Sequence, residues 1–192
     1  VIAGVFVNQE TAQTLSKIGV RDSKELTDKN IISLSIKIQE VVTSDFDVIV
    51  INPTTYNKLH SSMKNVNKIL GWAHAKVIEN ILQKKDVTDA ISDKFGDENL
   101  ILNNLQEKGK NIRLSQFTKA ERFTGVAAAS ILARNNFIKW FGTAKNKYGI
   151  ELPKGASSEV INAGKMVIKQ FGTESLNDIA KTHFKTTKQI TN

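Results

Sequence analysis

The chain has 192 residues, 40% hydrophobic and 24% charged, the make-up of one globular domain rather than of a disordered or fibrous protein. It contains no cysteine, which excludes disulfide frameworks, thiolate metal sites and cysteine nucleophiles, and no apolar run approaches the roughly 18 residues of a membrane-spanning helix. Its 27 basic and 19 acidic residues leave a formal net charge of +8, and residues 101–150 alone hold nine basic against two acidic side chains.

A basic block on an otherwise balanced chain points to a polyanion such as nucleic acid, or to a merely soluble lysine-rich surface; charge leaves both open. The lack of cysteine fits a reducing, cytoplasmic setting, and nothing in the sequence demands more than a monomer.

Val1–Val7 is a short apolar, β-branched run and reads as a strand entered from its first residue. A helical pattern from Asn8 to Leu15 stops at Gly19, and Thr27 is the expected N-cap of a helix carrying Ile31, Ile32, Leu34, Ile36, Ile38, Val41 and Val42. Phe46–Ile51 is a second strand, ended by Asn52 and Pro53. Helix spacing of Ile69, Leu70, Ala73, Val77, Ile78 and Leu82 predicts a helix over 66–82. Strands at 87–92 and 111–117 flank a short helix near 98–106, and the longest helix is expected over 119–147. Two further helices follow near 159–171 and 176–184, and the polar tail from Lys185 is expected to fray. Strands alternating with helices predict a layered α/β domain with a mixed sheet and flanking helices, divided as 1–150 with a helical extension at 151–192.

In such sheets, sites collect at strand ends. Asp93 closes the third strand, and Glu121 follows the fourth beside Lys119. Two carboxylates at neighbouring strand ends suit hard divalent cations, which take oxygen ligands. The same residues also suit plain structural roles, Asp ending a strand and Glu complementing a helix dipole. Lys24, Lys119, Arg122, Arg134, Lys139 and Lys154 could meet phosphates or simply be solvated. Ser130 and Arg134 share a helix face at i, i+4, and Gly155 lets backbone amides near Lys154 approach a phosphate. His74 reads as a partly buried side chain, Trp72 and Trp140 as core, and His183 stays a candidate. No P-loop, zinc-type His pair or Ser-His-Asp order is present.

Taken together, these segments resemble the type 2 ribonucleases H, and within them the ribonuclease HIII branch. Gly19–Leu26, containing Asp22, Ser23 and Lys24, is similar to that family's Asp-Ser-Lys segment. Asn67–Leu70 with His74 resembles its central helix, and Ile91–Phe95 its strand bearing a metal-binding Asp. Thr118–Glu121 followed by Val126–Arg134 resembles its long conserved block, and Leu152–Ala156 and His183–Phe184 are similar to the HIII branch. The resemblance implies an RNase H-like fold and hydrolysis of the RNA strand of RNA–DNA hybrids by two Mg²⁺ or Mn²⁺ ions held by four carboxylates, leaving 5′-phosphate and 3′-hydroxyl ends. It implies that Asp93 and Glu121 are two of those carboxylates. Ser23, Lys24, Lys119, Ser130, Arg134, Lys154 and Gly155 then face the substrate, with Asp22 and His183 as further candidates.

The other two carboxylates of the family lie in an Asp-Glu-x-Gly-x-Gly segment on a strand just ahead of the one that Val1–Val7 resembles. With that first strand missing, the expectation is a catalytic domain incomplete at its N-terminus that does not cleave by itself. The alternatives are a hybrid-binding module without catalysis and a module that turns its basic face to another protein.

Overall fold

The computed structural model describes residues 1–192. In chain order its elements are strand β1 (Ile2–Val5), helices α1 (Gln9–Lys17) and α2 (Asp28–Val42), strand β2 (Phe46–Ile49) and helices α3 (Pro53–Met63) and α4 (Val66–Leu82). Strand β3 (Asp89–Asp93), the single turn α5 (Asn99–Leu102) and strand β4 (Arg113–Phe117) come next. Helices α6 (Thr124–Tyr148), α7 (Ser158–Phe171), α8 (Leu176–Ile179) and α9 (Lys185–Thr191) complete the chain. The α/β class is as expected, and strand directions are mixed: β1 and β2 pair antiparallel, β3 and β4 parallel, as two separate two-stranded sheets.

Packing groups these elements into two compact units, Val1–Val50 with Asn65–Asn136, and Ile51–Lys64 with Phe137–Asn192. The division expected at 150/151 falls inside the second unit.

In the first unit, the Thr27 hydroxyl caps α2 by accepting from the Asn30 amide at 3.3 Å. Ile31, Leu34, Ile38 and Val42 then turn inward at helical spacing, whereas Ile32 and Ile36 lie on the other face and are exposed. Helix α4 has the bounds its periodicity predicts, with Ile69, Ala73 and Val77 buried. Strand β1 lies close on it, since a Cβ on Gly4 would come within 2.5 Å of the Val77 side chain. Buried Glu79 accepts from the amides of Gln106 (2.6 Å) and Gly109 (2.8 Å), tying down the segment where a helix to 106 was expected; the helix stops at Leu102. The long helix starts at Thr124, not Lys119, because Lys119 adopts a left-handed conformation (φ 55°) and Ala120–Arg122 form a tight 3-10 turn.

In the second unit, Pro53 does more than end a strand. It occupies the first turn of α3, where a missing N–H costs nothing, and Asn52 caps that helix by accepting from Thr55 N at 2.8 Å. The helix expected over 176–184 stops at Ile179. Asn57 explains this: its amide group donates to the Ala180 carbonyl (2.9 Å) and accepts from Thr182 N (3.0 Å), so those backbone groups bond to α3 instead of continuing a helix. The tail does not fray. It forms α9, whose Ile190 is 7% exposed and seats on Gly164 of α7.

Candidate functional site

The site is built from the parallel pair. Asp93 ends β3 opposite Phe117, which ends β4, and Lys94 N continues the ladder to the Phe117 carbonyl at 3.0 Å. The chain leaving β4 passes through the left-handed Lys119 and buries Ala120 completely. The Ala120 amide donates to Asp93 Oδ1 at 3.2 Å. That bond brings the segment bearing Glu121 against the end of β3.

Glu121 is mostly buried, its side chain 22% exposed, and Lys24 Nζ lies 3.8 Å from its Oε1. Lys24 arrives from a 3-10 turn, Ser23–Glu25, capped by Asp22, whose Oδ1 accepts from Lys24 N at 2.9 Å. Two side chains of α6, one helical turn apart, hold this turn in place. Ser130 Oγ lies 2.6 Å from Ser23 Oγ. Arg134 donates to the Ser23 carbonyl and pairs with Asp28 at 3.1 Å.

His74 of α4 stacks on Phe95 with ring centroids 5.0 Å apart. Burial pushes its imidazole down to about 4, while the negative charge of Asp93 acts in the opposite direction. At neutral pH it is an uncharged, packed side chain, as its apolar neighbours in sequence suggest.

Of the residues singled out from sequence, Asp22, Ser23, Lys24, Asp93, Lys119, Glu121, Ser130 and Arg134 all fall in the first unit: Asp22 bonds to Lys24, which pairs with Glu121, Ser23 is held by Ser130 and Arg134, and Asp93 bonds to Ala120, the neighbour of Glu121. Lys154, Gly155 and His183 fall in the second unit. There, Lys154 Nζ is 5.9 Å from the Phe141 ring centre, Gly155 takes a positive φ of 98°, and His183 stacks on His60 at 3.8 Å. Sequence reading overlooked Asp28 as the partner of Arg134 and the Ala120 amide as the link to Asp93. Neither has a local signal, since both depend on contacts across long stretches of chain.

The donor chemistry suits a hard divalent cation: carboxylate oxygens, with no sulfur nearby. No group of three or more His, Asp or Glu side chains that could hold a metal ion is gathered at one place. No helix is long and apolar enough to cross a membrane.

Comparison with known proteins gives a consistent picture. The profile of a family described as Ribonuclease HII matches residues 1–187. Curated relatives called Ribonuclease HIII include one from Protochlamydia amoebophila, 39% identical over 189 residues, and one from Chlamydia pneumoniae, 43% identical over 193. Each alignment takes in 98% of this chain but only 62% and 64% of the relative, so the chain spans less than two thirds of their length. Among solved structures, Bst-RNase HIII in complex with Mn²⁺ superposes with a TM-score of 0.89 at 29% identity, over 98% of this chain and 63% of that one. The RNase H3 of Aquifex aeolicus gives 0.75 at 27% identity, over 96% and 68%.

Proposed function

Because the chain belongs to the ribonuclease HII family, we propose that it carries the metal- and hybrid-binding face of a ribonuclease HIII-type endonuclease, which hydrolyses the RNA strand of RNA–DNA hybrids to 5′-phosphate and 3′-hydroxyl ends. The observation that carries this reading is the hydrogen bond from the Ala120 amide to Asp93, which draws Glu121 to the strand end that Asp93 occupies.

Asp93 and Glu121 would hold Mg²⁺ or Mn²⁺, and the Mn²⁺ complex of Bst-RNase HIII supports the choice of a divalent ion. When bound, such an ion supplies Lewis acidity and a water deprotonated near neutral pH for in-line attack on phosphorus. The chain's own residues bind and orient the substrate. Lys24 and Lys119 present exposed charge to the phosphate backbone, and Ser23, Ser130 and Arg134 fix the turn that carries Lys24. In the second unit, Lys154, Gly155 and His183 are proposed as polyanion contacts in their own right. A hybrid duplex would be read by shape and 2′-hydroxyls rather than by base sequence.

A second reading, hybrid binding without cleavage, is favoured by the acidic count at the site: two carboxylates are too few to hold two ions in hydrolytic geometry. Residues 1–192 by themselves are therefore expected to bind a hybrid without cutting it.

The test combines a Mn²⁺ titration followed by electron paramagnetic resonance with anisotropy of a labelled RNA–DNA hybrid. D93N and E121Q are each expected to weaken Mn²⁺ binding by about tenfold or more while hybrid affinity persists. Unchanged Mn²⁺ affinity in both variants overturns the metal assignment. Hybrid binding no tighter than that of a neutral protein overturns the substrate assignment.

A further inference from the structure

One basic residue beside the carboxylates has a setting unlike the others. Arg122 follows Glu121 directly in the Ala120–Arg122 turn. With about three residues per turn, neighbouring side chains there point roughly 120° apart. Glu121 accordingly faces Lys24, whereas Arg122 points outward to two aromatic rings.

Its guanidinium carbon lies 5.2 Å from the centre of the Phe117 ring and 5.0 Å from that of Phe123. The two rings are 5.1 Å apart and tilted at 42°, and Phe117, on the last residue of β4, is 36% exposed. Both rings lie within cation–π reach of the guanidinium and together form a seat for it. No carboxylate pairs with Arg122, and the charge of Glu121 is met by Lys24 instead.

Cation–π contact of this kind acts through the guanidinium's charge and consumes none of the N–H donors along its edges. Those edges match the paired oxygens of a phosphate. A long, flexible side chain already held in one place also loses less freedom on binding. We propose that Arg122, seated on Phe117 and Phe123, grips a backbone phosphate of the hybrid next to the one that faces Asp93 and Glu121. Arg122 is a substrate-binding residue, and the two phenylalanines are positioning residues that act through it. This deepens the hybrid-binding reading above and rests on it.

The test measures the Kd for a labelled RNA–DNA hybrid across a KCl series for the 192-residue chain and its variants, with thermal melting alongside. R122Q is expected to weaken binding about tenfold and to lower the slope of log affinity against log salt by about one, with the melting temperature unchanged. R122K keeps the charge but neither stacks as well nor forks, so the slope returns while affinity stays several-fold weak. F123L leaves the charge in place, so affinity falls a few-fold at the original slope. A wild-type slope for R122Q overturns the inference, whether or not affinity drops, because affinity lost at constant slope marks a structural role. If the wild-type chain fails to bind the hybrid, the underlying reading falls and takes this inference with it. If it binds and R122Q binds equally well, only this inference falls.

Discussion

Ser23 Oγ lies 2.6 Å from Ser130 Oγ, a bond between a turn and a helix 107 residues further along the chain. It is half of a clamp on the segment that delivers Lys24 to Glu121. Ser23 is buried, so its hydroxyl depends on this partner. S130A should cost about 1 kcal/mol of stability, read as a lower midpoint of urea unfolding at unchanged slope. It should also weaken hybrid binding several-fold by loosening the turn; full affinity in a destabilised S130A would show that Lys24 needs no clamp.

Arg134 is the other half. Its guanidinium is occupied by the Ser23 carbonyl and by Asp28, both within the protein. R134A should cost about 1–2 kcal/mol, because the Ser23 carbonyl loses a charged donor and Asp28 loses a part-exposed ion pair. Its salt dependence of hybrid binding should match that of the wild type. A slope lower by about one would instead put Arg134 on a phosphate.

On the proposed reading, Lys24 opposes metal binding even as it favours nucleic acid. An ammonium 3.8 Å from Glu121 repels an incoming dication, though solvent exposure of Lys24 limits the effect to that of a surface pair. K24Q should tighten Mn²⁺ binding by about threefold and weaken hybrid binding at the same time. Calorimetric titration with each ligand separately would reveal whether the two affinities move in opposite directions.

His74 predicts an acid sensitivity of the fold. Its pKa drops from 6.5 to about 4 on burial. Between those values the unfolded chain takes up a proton that the folded chain refuses, so stability is highest above pH 6.5 and falls as pH drops towards 4, by about 3 kcal/mol at full effect. In H74F this component of the pH profile should flatten; a profile as steep as the wild type would assign the loss to other groups.

Ile190 tests the docked tail. A Cβ on Gly164 would sit 2.6 Å from Ile190 Cδ1, so α7 and α9 meet with no spare room. I190A should cost about 2–4 kcal/mol, and G164A should expose the tail to proteolysis near residue 185.

What could be read from the sequence was whatever leaves a local trace. Periodicity placed α4 at its observed bounds, and Asp93 and Glu121 stood out as carboxylates after strands. Ile190 left almost no trace, being a single apolar residue in a polar tail whose burial depends on a glycine in another helix. The stop at Ile179 was equally hidden, since Asn57 enforces it from more than a hundred residues away. The start of α6 is hidden in the sequence because the left-handed residue ahead of it, Lys119, is a lysine, where glycine or asparagine would normally advertise such a conformation. Composition did expose the basic stretch, but Arg122 differs from its neighbours only through the two rings that fold against it.

The bond between Ala120 and Asp93 makes one amide proton a reporter for the whole centre. It joins the end of one strand to the loop leaving its parallel neighbour, so it opens when the Asp93 carboxylate turns away or when those two ends separate. The exchange rate of that proton with deuterated solvent therefore measures how often Asp93 lets go of the segment that carries Glu121, a quantity visible before any metal or nucleic acid is added.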